Sequence, residues 1–122
     1  MTAHAPPGWP RQVPPPEVAG WERRAVAWML DLCPPDYRGH PVLGRHPAVL
    51  ARLTALHVAA QAEAQRRATA TVRADLRDQV PPPVMEQVLE VLDVEHARLL
   101  AAARAVTLVE EALRGRRYVP RL

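Results

Sequence analysis

Lysine, asparagine, serine, isoleucine and phenylalanine are all missing from the 122-residue chain, so its 16 basic residues are all arginine. Apart from serine, these residue types use AT-rich codons, and the plain reading is a GC-rich genome. Arginine is then not a choice made over lysine, and its usual link to phosphate recognition is weakened. Cysteine is reduced to Cys33, which excludes an intrachain disulfide and a cysteine-rich metal site. There is no serine-centred nucleophile elbow, no glycine-rich phosphate loop and no His-Glu zinc helix. No apolar run approaches the ~20 residues of a membrane span. The opening MTAHAPPGWPRQVPPP lacks the apolar stretch of a signal peptide. These absences imply a soluble cytoplasmic protein that makes no membrane contact and carries no cofactor. They assign no catalytic residue and no metal ligand.

What is present is proline, arginine, alanine and a helical apolar rhythm. The length allows one domain with flanking tails. The formal charge of +3 is small for a nucleic-acid binder, and its distribution is more informative than its total. Residues 1–16 hold Pro6, Pro7, Pro10, Pro14, Pro15 and Pro16, and read as an extended or disordered arm. Such arms can occupy grooves in partners, and a solvated tail is the simpler reading. Residues 17–114 read as a helical domain, and 115–122 as a basic, extended tail.

Within that domain the fold class is all-α, with helices over about 17–33, 47–79 and 82–114. In the first, Val18, Trp21, Ala25, Trp28 and Leu32 form one apolar stripe, ended by Pro34 and Pro35. The connection 34–46 is too rich in proline and glycine for regular structure. In the second helix, which starts at Pro47, Val49, Leu53, Leu56, Ala60, Ala64, Ala68, Val72 and Leu76 recur mostly every fourth residue. In the third, Met85, Leu92, Leu99, Val106 and Leu113 are spaced by sevens, with Val88, Ala102 and Val109 between them. That is a coiled-coil rhythm.

The short turn at Pro81, Pro82 and Pro83 favours an antiparallel hairpin of the two long helices. A hairpin closed there sets Arg77 near Glu86, Arg73 near Glu90, and Arg66 and Arg67 near Glu95 and His96. The shorter N-terminal helix then packs at the open end, near Val49–Leu56 and Val106–Leu113. The alanine-rich far half is left as a two-helix arm, which invites a second copy and an antiparallel four-helix assembly.

The same topology gathers Tyr37, Arg38, His40, Arg45 and His46 of the connector with Arg114, Arg116, Arg117 and Tyr118 of the C-terminal segment. The amides at the start of the second long helix point to that end too. The cluster is a candidate site for an anion or a partner. The opposing reading is that arginines at a helix C-terminus offset its partial negative charge without further function. His40 and His46 have no third ligand at zinc spacing. His57 and His96 lie on or beside the apolar stripes and read as packed or solvated. Cys33 reads as a small buried apolar residue. Glu110 and Glu111 form helix pairs with Arg114, with a carboxylate dyad as the alternative.

The stretch GWERRAVAWMLDLCPPDYRGHPVL and the ending VEEALRGRRYVPRL resemble small uncharacterised all-α proteins encoded in high-GC actinobacterial genomes. The resemblance covers most of residues 8–122. It implies a bacterial cytoplasmic setting and carries over no activity, ligand or site residue. The reading that follows is a non-enzymatic helical interaction or scaffold protein, with a protein partner or a homodimer. The alternatives are a small nucleic-acid-binding protein, or a binder of a small phosphorylated ligand, using the arginine-rich end.

Overall fold

A computed structural model describes residues 4–116, and its described elements are all helical. Helix α1 is Trp21–Leu32, a single 3-10 turn is Pro35–Gly39, α2 is Pro41–Arg45, α3 is Pro47–Asp75 and α4 is Pro82–Leu113. The two long helices pack against each other, and α1 packs on α3.

Proline places most of these starts. Pro35, Pro41, Pro47 and Pro82 each stand in the first helical turn, where the missing amide costs nothing and φ is already helical. The connector expected to lack regular structure therefore holds two short helical turns. Helix α1 begins at Trp21 rather than near residue 17, because Gly20 sits at φ 83°, in the left-handed region that glycine enters without strain. Helix α3 stops at Asp75 rather than near 79. Val80 precedes Pro81 and is driven out of the α region, and turn bonds from Gln79 N and Val80 N to Leu76 O take over. Helix α4 ends at Leu113 and is closed by Gly115, φ 85°, where Gly115 N donates to Ala112 O (3.0 Å) and Arg116 N to Glu111 O (2.9 Å). That pair of bonds is a Schellman cap.

The core gathers Val13, Trp21, Ala25, Met29, Cys33, Leu50, Ala51 and Val109. It lies where α1 meets the start of α3 and the end of α4. Val13 is 3% exposed, so the proline-rich segment is docked rather than solvated. The Trp9 ring lies tilted against Trp21, with centroids 5.9 Å apart, and its indole N–H donates to Val13 O (2.9 Å). The two apolar side chains spaced among the prolines give the segment surface to bury.

The buried face of α3 also departs from the expected stripe. Leu50, Ala51, Thr54 and Val58 are buried, followed by half-buried Ala62, Gln65, Ala68 and Val72, while Val49 and Leu56 are exposed. Steps of four overshoot a helical turn by ~40° each, so a pure every-fourth-residue stripe winds off the face. Alternating steps of three and four keep to it. Helix α4, whose sevenfold rhythm already does so, buries Met85, Val106 and Val109 and half-buries Leu92, Leu99 and Leu113. The cross-helix ion pairs are Arg73–Glu86 (2.8 Å) and Arg52–Glu110 (3.5 Å). Arg73 thus meets Glu86 instead of Glu90.

Candidate functional site

The connector residues are tied locally. The Tyr37 hydroxyl lies 2.5 Å from His57 Nε2, with the rings edge-on at 5.2 Å and 76°. Arg38 is paired with the Asp31 carboxylate. His40 and His46 occupy the positions before α2 and α3, with exposed side chains and backbone N–H groups bonded to Tyr37 O and Val42 O. Arg45 is exposed in the last turn of α2.

At the end of α4 the arginines meet carboxylates. Glu110 is 8% exposed and lies between Arg114 (3.1 Å) and Arg52 (3.5 Å), and Glu111 is 3.8 Å from Arg116. The two glutamates therefore serve different arginines and do not form a dyad. Tyr37, Leu43, Ala112 and Leu113 pack against one core cluster, which puts the connector and the end of α4 at one end of the molecule. Among the described residues, no hydrogen bond or ion pair joins Tyr37, Arg38, His40, Arg45 or His46 to Arg114 or Arg116. Arg117 and Tyr118 lie outside the described residues. Among the described residues, Asp31, Glu110 and Glu111 thus compensate Arg38, Arg114 and Arg116.

Two contacts had no sequence forecast. His57 is the partner of Tyr37. The Cys33 thiol sits 3.2 Å from Thr54 Oγ1, which donates to Leu50 O at 2.7 Å. Thr54 and His57 are three apart on the α3 flank that meets α1 and the connector, so the alternating spacing of three and four was the available signal. Among the described residues no cluster of His, Cys, Asp and Glu is placed to hold a metal ion.

The other distinctive region is the half of α3 and α4 away from α1. Over residues 59–104 only Met85 is buried. Along α4, Val84, Val91 and Val94 are 44%, 59% and 57% exposed. Shallow grooves run between these valines, lined by Gln87, Val88 and Leu92 on one stretch and by Glu90 and Glu95 on the next. Near the connection, Arg73, Arg77, Val80, Pro82, Met85 and Glu86 enclose about 150 Å³. Between the helices, Gln65 Oε1 and His96 Nδ1 are buried without a hydrogen-bond partner among the described residues. On the outside of α3, Arg66 donates two hydrogen bonds to Glu63 (2.9 and 2.6 Å) and holds that carboxyl below its ordinary range.

No helix among the described residues is long and apolar enough to cross a membrane. Compared with family models, curated proteins and solved structures, the chain finds no match.

Proposed function

We propose that the protein is a non-enzymatic interaction module whose α3 and α4 fold back on each other as an antiparallel, coiled-coil-like hairpin, and whose far half binds a protein partner. Two ion pairs support the fold-back: Arg73–Glu86 lies next to the connection, and Arg52–Glu110 lies far from it on both helices. The observation that carries the functional reading is the exposed valine stripe of α4, on an arm where Met85 alone is buried. Contiguous exposed apolar surface of this kind marks association sites. The grooves along it, lined by valines and Leu92 with Gln87, Glu90 and Glu95, are shallow and open, unlike the concave pocket that buries most of a small ligand. Gln65 and His96 lie at one level of the helix pair by interpolation between the two ion pairs. Buried polar residues in an otherwise apolar seam set register at some cost in stability.

The arginine-rich end gives the competing readings less support. Arg38, Arg114 and Arg116 already face carboxylates, and recruiting them for phosphate means breaking those pairs. The test compares the wild-type chain with V91E/V94E for association with itself and with captured proteins, and titrates both with DNA and RNA at low salt, where phosphate contacts are strongest. Association should depend on the two valines, and nucleic acid should not bind. A strict monomer that captures nothing, or nucleic-acid binding lost on replacing Arg114 and Arg116, would overturn the reading.

A further inference from the structure

The valine stripe continues a face of α4 that the protein itself covers elsewhere. Toward the end of α4, Ala105 and Val109 are buried, and a Cβ added at Gly8 would stand 3.5 Å from Leu108 Cδ1. Stepping back along the helix by threes and fours leads to Val94, Val91, Gln87 and Val84, all exposed. The core cluster that holds α1 takes in Val109, Ala112 and Leu113 and no α4 residue before them.

The chain's own ends do not supply the missing cover. Residues 117–122 span at most about 21 Å when fully extended, whereas Val91 lies about 35 Å back along α4 from Gly115 at the helical rise per residue. Residues 1–3 span about 10 Å, less than the ~15 Å between Val84 and Val94. The cover therefore comes from another molecule. An extended peptide gains its affinity by adding to a sheet edge, and the described elements are all helical. A helix laid along the row can instead pack its ridges between the valines.

Charge states the partner's chemistry. Glu86, Glu90 and Asp93 recur by four and three in the row beside Gln87, Val91 and Val94, and residues 82–97 hold no arginine. Glu86 is met by Arg73 (2.8 Å) and Glu95 by Arg98 of its own helix (3.6 Å). Glu90 and Asp93 lie between these pairs, exposed, and make no ion pair among the described residues. A second copy of this stretch would bring carboxylates against carboxylates. We infer that the valine row of α4 docks an amphipathic helix of a partner protein, one whose aliphatic stripe is edged by arginine or lysine. Its aliphatic side chains cover Val84, Val91 and Val94, and its cations meet Glu90 and Asp93. Arginine or lysine stems extend the apolar cover while their charge stays at the wet rim. This inference rests on the arm being an association surface and states the chemistry of what fills it.

The experiment titrates the purified full chain against two labelled synthetic helical peptides, followed by fluorescence anisotropy. Both carry one leucine stripe over about three heptads; one edges it with arginine and the other with glutamate. The arginine-edged peptide should bind, more weakly as salt rises, and the glutamate-edged one should not. E90R/D93R should weaken the first about tenfold at low salt, through two pairs, and should gain binding of the second. V91S/V94S should weaken the first while the helical circular dichroism stays unchanged. If V91S/V94S loses its helicity, the charge reversal and its exchange of peptides decide alone. Equal binding of the two peptides, binding of neither, or binding indifferent to these substitutions overturns the inference. A chain that binds neither peptide but associates with itself through Val91 and Val94 would overturn it while leaving the proposed function standing. A monomer that binds neither and captures nothing would remove both.

Discussion

Tyr37 and His57 join the connector to α3 through a polar side-chain contact. A neutral hydrogen bond between half-buried groups contributes about 1 kcal/mol. Y37F and H57L should each lower unfolding stability by that order, and a double-mutant cycle by chemical denaturation should show coupling between them. Simple additivity would place the pair outside the fold's support. On the arm, Glu63 offers a titration. Its carboxyl is held below the ordinary value by the hydrogen bonds from Arg66, so the pair's contribution is complete above the ordinary carboxylate pKa and is lost as pH falls through the lowered one. NMR titration of Glu63 should give a midpoint that rises toward the ordinary value in R66Q. An unchanged midpoint contradicts the pairing. Residue-scale chemistry of this kind was only partly legible in the sequence. The i,i+3 spacing of Glu63 and Arg66 can be read directly, but the pairing of Tyr37 with His57 depends on how a proline-started connector lies across α3.

Among the elements, the docked proline-rich segment is the least foreseen. Six prolines remove amide donors and stiffen the chain, which argues for an extended course but not for a solvated one. Trp9 and Val13 decide the matter, because a stretch with an indole and a valine has apolar area to bury against Trp21, and it does so as a run of turns, Trp9 N to Pro6 O and Val13 N to Pro10 O, rather than extended. V13D should cost about 2–3 kcal/mol in denaturant unfolding, combining lost burial with a stranded carboxylate. V18D, at a position 37% exposed, should change stability by less than ~0.5 kcal/mol. Equal, negligible effects would mean that the segment is solvated after all. Helix α4 was legible in detail, since spacing by sevens stays on one face. The face of α3 was not. Alanine and leucine surround that helix, and the packing of Leu50 and Ala51 into the core with α1, with Thr54 against Cys33, distinguishes one side from the other.

At the scale of the whole molecule, the all-helical class and the packing of α1 on α3 follow from the sequence pattern. At the basic end Arg38, Arg114 and Arg116 face Asp31, Glu110 and Glu111, and linear spacing reveals only the nearest of these pairs. What remains distinctive is an arm whose apolar stripe outruns the helix that covers it. That description depends on the chain doubling back at Pro81–Pro83. Spin labels at Ala48 and Arg114, placed in a C33A background and diluted with unlabelled protein, measure the fold-back directly by pulsed dipolar spectroscopy. Adjacent packed helices have axes about 8–10 Å apart, so the account expects a label separation within roughly 20 Å. A continuous rod through the same prolines would hold the labels about 100 Å apart at the helical rise per residue, and that distance would contradict it.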